Sequence, residues 1–181
     1  MELIDKARAF AEKAHAGQVR KLTNEPYFIH TEGVAVILQE AGLSPEVVAS
    51  GYLHDTVEDT IVTIDQIKRE FGERVAALVS ANTEDKTKSW EERKEQTIES
   101  VKHSSIEIKC LIAADKLDNL RSLISASSTN ENIWIHFNRG KDQQAWYYKG
   151  VAEAIFEGIE TEDIPLFFDE FHTLVNNYFN D

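Results

Sequence analysis

Residues 51–60 read GYLHDTVEDT, with His54 and Asp55 side by side and Glu58 and Asp59 side by side just after. Imidazoles and carboxylates ligate divalent cations, and positioned carboxylates move protons. Adjacent positions on a regular helix point about 100° apart, so both members of a pair serve one site only where a helix frays or bends. Two further residues have the right chemistry. His30 ends the segment EPYFIH, one predicted helix earlier, and Asp115 interrupts the apolar run CLIAADKLDNL. A carboxylate in that run is costly to bury without a partner. One cation held by His30, His54, Asp55 and Asp115 would satisfy all four groups. Mixed nitrogen and oxygen ligation with open water positions suits Mn²⁺ or Fe²⁺, whereas closed nitrogen/sulfur tetrahedra mark structural zinc.

Each signal also has an ordinary explanation. A lone His30 fits a hydrogen-bonded core histidine, and Asp115 fits a partner for Lys116 or Lys109. Glu58 and Asp59 fit a solvated acidic loop or a helix-capping cluster. The specificity lies in the combination of an adjacent His-Asp, an upstream His and a downstream Asp on a buried helix.

The elements that must position these residues read as helices. Leu3, Ile4, Ala7, Phe10, Ala11 and Ala14 recur at helical spacing up to Gly17. After the loop QVRKLTNEPYF, a second helix is predicted from about 29 to 41, closed by Gly42. Ser44-Pro45 opens a third, which leads into SGYLHD, so a buried helix meets a loop at His54-Asp55. Thr63 with Gln66, Ser89 with Glu92, and Ser104 with Glu107 give capping-box starts. The last opens the apolar helix IEIKCLIAADKLDNLRSLI, and two more helices are predicted at about 141–159 and 163–179. Period-two strands with hairpin turns are absent from the pattern. The expectation is one all-α domain over 1–181, a helical bundle with a motif-bearing core at about 5–125 and its least regular stretch at 125–140.

Composition narrows the function. The chain has 181 residues, 42% hydrophobic and 28% charged, as in soluble globular proteins. Its net charge of −13 argues against binding nucleic-acid polymers or anionic membrane surfaces. A small polyanion can still bind where a metal ion and local Lys and Arg side chains reverse the field. Cys110 is the only cysteine, which excludes an internal disulfide and points to a reducing, cytoplasmic setting. Nothing resembles a signal peptide or a membrane span.

Taken together, RKLTNEPYFIH with GVAVIL, GYLHDTVEDT, FGERVAALV, TEDKT and IKCLIAADKLDNLRSL resemble the HD-domain metal-dependent phosphohydrolases. Within them the similarity is to the hydrolase domain of the RelA/SpoT proteins and the small alarmone hydrolases. The resemblance covers about residues 5–125, with the motifs in order. It implies an all-α HD-domain bundle with metal ligands at His30, His54, Asp55 and Asp115. It also implies a Mn²⁺-dependent enzyme that removes pyrophosphate from the 3′ position of (p)ppGpp, with Glu58 and Asp59 as the catalytic acid pair. Thr31 stands where the family usually has proline, and SANTEDKT replaces a stretch usually closer to Gly-Val-Thr. No residues are left over for the synthetase and regulatory domains of the long RelA/SpoT proteins.

Arg20 and Lys21 match the family's Arg-Lys pair, an arginine to stack on a purine and a lysine to meet phosphate. Lys86 is a further phosphate candidate, and Asn119, one turn after Asp115, a candidate for ribose or base. Lys141, Gln144 and Tyr148 share one face of a later helix and could close over the substrate, or serve only to pack it. The same ligand set would serve a phosphatase acting on NADPH or a nucleoside phosphate. A catalytically silent nucleotide-binding module is a third reading, but binding alone does not require Glu58 and Asp59.

Overall fold

The computed structural model describes residues 2–129 and 132–180. Among them are ten α-helices and no β-strand. They are α1 (Glu2–Ala14), α2 (Phe28–Glu40), α3 (Pro45–Leu53), α4 (Thr56–Asp59), α5 (Ile64–Phe71), α6 (Glu73–Asn82), α7 (Trp90–His103), α8 (Ile106–Ser127), α9 (Lys141–Ala154) and α10 (Leu166–Phe179). The all-α expectation holds.

The centre of the bundle is α3 against α8. Every α3 residue from Val47 to Leu53 is buried, and α8 buries ten residues, from Lys109 to Leu123. Helix α2 packs on both, while α1 and α6 pack on α3. The close crossing of α2 and α3 depends on Gly51. A Cβ there would fall 2.8 Å from Leu38 Cδ1 and 3.0 Å from the Ala35 Cα. Without a side chain at this point, α2 can bring His30 against the end of α3.

Helix boundaries were only partly legible. Ser89 and Glu92 form the full capping box of α7, worth about 1 kcal/mol. Thr63 caps α5 by accepting from the Gln66 N–H. Helix α8 is capped by Ser105 and not by Ser104, which instead ends α7. Helix α9 stops at Ala154, five residues short of the predicted end, and α10 begins only after Pro165. The apolar pattern continues through Phe156 and Ile159 because both pack on the core from a turn. The 125–140 stretch holds the end of α8 and a short 3₁₀ turn, Ile133–His136; residues 130 and 131 lie outside the described residues.

Candidate metal centre and adjoining cleft

Helix α3 ends at Leu53, His54 keeps helical angles, and Asp55 sits at φ −98°, ψ −4° before the short α4. Hydroxyls take up carbonyls around this break: Ser50 Oγ donates to Val47 O, Thr56 Oγ1 to Leu53 O and Thr60 Oγ1 to Thr56 O. The break resolves the problem of adjacent residues serving one site. His54 Nε2 and Asp55 Oδ2 lie 3.0 Å apart.

His30, in the first turn of α2, brings Nε2 to 3.3 Å from Asp115 Oδ1 and 3.6 Å from Asp55 Oδ2. His54 Nε2 is 3.7 Å from Asp115 Oδ1. Ligand atoms of His30, His54 and Asp115 all lie within 4.8 Å of one another, and all three residues are buried. Asp55 joins through its contacts with both imidazoles. The four residues singled out from the sequence, separated by up to 85 positions, therefore meet at one point.

A surrounding layer fixes their orientation. His30 Nδ1 is 2.6 Å from Asp118 Oδ2, and His54 Nδ1 is 2.8 Å from the Gly51 carbonyl. Both partners are acceptors, so both rings donate from Nδ1 and turn Nε2 toward the carboxylates; neither Nε2 has a hydrogen-bond partner. This is the arrangement of metal-ligating histidines, where the outer hydrogen bond sets tautomer and ring angle. Tyr27 donates to Asp55 Oδ2 at 2.6 Å, Lys116 to Asp115 Oδ2 at 2.7 Å and Asn119 to Asp115 Oδ1 at 2.7 Å. Lys116 fulfils the simple ion-pair reading of Asp115, but only at one oxygen; the other faces the histidines.

Burial opposes every charge in this cluster, and the contacts between imidazoles and carboxylates outweigh it. They raise His30 to about 9 and His54 above its usual range and hold Asp55 well below its own, while Asp115 is held well below its own first by the Lys116 ammonium and then by the two imidazoles. Two protons can thus balance the two carboxylates. So can one divalent cation between two neutral imidazoles, and the unpartnered Nε2 atoms fit it.

Glu58 and Asp59 follow on α4. Glu58 Oε2 accepts from the Glu84 N–H at 3.2 Å. Burial, with Asp55, Glu84 and Asp59 nearby, raises the Glu58 carboxyl above its ordinary value. Lys86 Nζ lies 2.7 Å from Asp59 Oδ1 and donates to Glu58 O at 2.9 Å. The lysine singled out for phosphate is thus engaged with the acid pair.

Beside them opens a cleft of about 600 Å³, lined by Arg20, Lys21, Tyr27, Asp59, Asn119 and Gln144 among others. Arg20 turns inward, donating to Asp118 Oδ2 at 2.9 Å and Asn119 Oδ1 at 2.8 Å, while Lys21 is exposed. The α9 stripe divides. Gln144 reaches the cleft, Lys141 is not part of its lining, and Tyr148 packs against Tyr147, Phe171 and Phe179. The aromatic residues Trp90, His136 and Phe137 also line the cleft.

Sequence reasoning missed Asp118, Tyr27 and the orienting role of Lys116. Asp118 had a signal: it is a second carboxylate one turn after Asp115. Its carboxylate sits over Gly33, where a Cβ would come within 2.3 Å of Oδ1. Cys110 is fully buried, and burial raises its thiol to about 12, as suits an inert core residue.

Comparison with known proteins agrees with this architecture. The HD domain family matches residues 7–135. A guanosine-3′,5′-bis(diphosphate) 3′-pyrophosphohydrolase of Mus musculus is 45% identical over 126 residues, 68% of this chain and 70% of the relative. One from Aquifex aeolicus is 39% identical over 125 residues, 67% of this chain but 18% of that longer protein. Among solved structures, a Listeria monocytogenes protein superposes with a TM-score of 0.81 at 49% identity, covering 87% of this chain and 98% of its own. A protein described as a metazoan ortholog of SpoT that hydrolyses ppGpp gives 0.83 at 28% identity, covering 98% and 96%. Sequence, helical architecture and the matched span agree: this chain belongs to the HD-domain family.

Proposed function

We propose that this chain is a divalent-metal-dependent phosphohydrolase that removes pyrophosphate from the 3′ position of guanosine 3′,5′-bis(diphosphate). The observation that carries the reading is the pair of buried, unpartnered Nε2 atoms of His30 and His54, turned toward Asp55 and Asp115. These four residues would hold the ion, with Mn²⁺ the assignment favoured by mixed nitrogen and oxygen ligands. The chemistry such an ion supplies is activation of water near neutral pH and neutralisation of phosphate oxygens. The substrate follows from relatives named for that activity over two thirds of this chain.

The protein's own groups then have definite tasks. Tyr27, Asn119 and Lys116 hold the carboxylates in place. Burial and the Asp55 charge keep the Tyr27 phenol protonated and therefore a donor. Glu58, raised by burial, can accept and release a proton beside the reacting phosphate, and Asp59 shares that edge of the cleft. Lys21, together with Lys86 when released from Asp59, offers positive charge to a polyphosphate. Asn119, Gln144 and the aromatic residues of the cleft wall offer contacts to the nucleoside.

No helix of the described residues is long and apolar enough to cross a membrane. The test is a substrate panel with Mn²⁺-loaded protein, scoring pyrophosphate against phosphate release. Pyrophosphate release from guanosine tetraphosphate is expected; phosphate release from NADPH or a nucleoside phosphate, with none from the tetraphosphate, overturns the substrate assignment.

A further inference from the structure

A second polar recess, of about 150 Å³, lies where the α6–α7 junction meets α8 and α9. Its walls include Thr83, Glu84, Arg93, Thr97, Lys116 and Tyr147. Sequence patterns gave no hint of it, because its charges come from three separate elements, the α6–α7 junction, α7 and α8.

The recess is rich in donors. Arg93 and Lys116 line it, and Lys94 stands beside them, with Nζ 2.7 Å from Glu84 Oε1 and 4.7 Å from the Tyr147 ring centroid. Glu84 Oε2 takes Arg93 Nη1 at 2.9 Å. One largely buried carboxylate therefore serves two cations, and Lys116 is shared with Asp115 at 2.7 Å. Asp85, the other acid of the lining, is exposed and accepts from the Thr87 N–H and hydroxyl. The crowding has an electrostatic effect: burial, then Lys116, lowers the Lys94 ammonium below its ordinary value despite Glu84.

Two buried donors in this wall lack partners. Tyr147 is 3% exposed, and its hydroxyl lies near the Lys116 ammonium but makes no hydrogen bond of good geometry. Arg93 Nε is also buried and unpartnered. Buried polar atoms are almost always satisfied, so two in one recess call for an acceptor. The space far exceeds the roughly 10–15 Å³ of such volume that a cavity needs to admit one water. A tetrahedral oxyanion offers acceptors in several directions at once, and here three cations, Arg93, Lys94 and Lys116, face two largely buried carboxylates, Glu84 and Asp115.

We propose that this recess binds a phosphate-sized oxyanion through Arg93, Lys116 and the Tyr147 hydroxyl, separately from the nucleotide cleft. Glu84 forms one wall, and its backbone N–H donates to Glu58. The α6–α7 junction therefore joins this recess to the acid pair. The site does not depend on the hydrolase assignment.

The test is a ³¹P NMR titration of the protein as purified, and again with chelator present so that a bound metal does not contribute. Inorganic phosphate and glycerol phosphate are compared, since free anion and phosphate ester present the same chemistry. Saturable phosphate binding is expected with and without chelator. Arg93→Gln should weaken it about tenfold, as for loss of a charge-assisted contact, and Tyr147→Phe a few-fold, while Lys21→Ala in the cleft leaves it unchanged. Tyr147→Phe removes only one oxygen, so it decides the matter if Arg93→Gln fails to fold. Binding of phosphate alone identifies the free anion as the ligand; binding of both, with the same dependence on Arg93 and Tyr147, identifies a phosphate-group site. No saturable binding of either, equal binding in both variants and the parent, or loss in Lys21→Ala would overturn the proposal.

Discussion

The buried cluster on α2, α3 and α8 and the rim of the cleft are built on opposite principles. In the cluster, charged or polar groups are held by more than one neighbour: Asp115 by Lys116 and Asn119, Asp118 by Arg20 and His30. At the rim, Lys21 is exposed and Lys86 is half-exposed on a salt bridge with Asp59. Buried charge requires specific partners, so the cluster has one low-energy arrangement; exposed charge is solvated in many. The interior should thus set whether the chemistry is available, and the rim which molecule receives it.

The comparison breaks most sharply at the cluster. Asp55→Ala should take metal content from about one ion per chain to near none, with activity lost alongside, because structural integrity of such sites rests on each ligand. Elemental analysis of protein purified without chelator decides this; equal metal in variant and parent would remove the ligand assignment. Replacing Glu58 and Asp59 together by Gln and Asn should lower kcat by about 10² or more, the scale of general acid–base contributions. Metal should stay bound. A change confined to KM would make the pair a binding element and move it to the rim's side of the comparison.

The next effect is smaller and tests the outer layer. Asp118→Asn keeps the shape but weakens the acceptor that orients the His30 ring. Metal affinity should fall about 10–100-fold, the usual consequence of losing such a partner. Gly33→Ala should act in the same direction, since its new Cβ would displace the Asp118 carboxylate. Competition with a chromophoric chelator measures both, and unchanged affinity in both variants would mean that Asp118 only packs.

The same division explains what the sequence disclosed. His30, His54, Asp55 and Asp115 were legible because imidazole and carboxylate in apolar helices are costly unless they meet. The break after α3 was legible too, from the adjacency that a regular helix could not use. Asp118 carried one local signal, a second carboxylate one turn after Asp115, but its partner Arg20 is 98 positions away and nothing in the sequence marks that pair. Arg20 itself read as a loop residue poised to stack on a purine, whereas its side chain is only 11% exposed and bonded to Asp118 and Asn119. The end of α9 and the start of α10 failed for a related reason. Apolar spacing registers burial whether the chain is helical or turning, and Gly158 at φ 72° marks a turn that periodicity does not detect.

Arg20 and Lys21 put the comparison in two adjacent residues. They share one loop and one sign of charge, yet Arg20 is tied to Asp118 and Asn119 while Lys21 faces the cleft. Lys21→Ala should therefore weaken binding of guanosine tetraphosphate up to about fivefold, the upper range for an exposed charge contact. The loss should shrink as salt screens it, and metal affinity should not move. Arg20→Ala should act through the interior instead. It frees Asp118 and Asn119 and so lowers metal affinity as well as nucleotide binding, by about 1–3 kcal/mol for a charge-assisted contact. That loss should persist at high salt, because the contacts are shielded from solvent. A small generic phosphate ester separates the two routes further: it should be nearly indifferent to Lys21, having few charges to hold, yet still sense a loosened metal centre in Arg20→Ala. Measuring kcat, KM and metal affinity for both variants on both substrates gives the outcome. Matching salt-sensitive losses with metal affinity intact would place Arg20 at the rim beside Lys21, and the line between interior and cleft would have to be drawn on the other side of it.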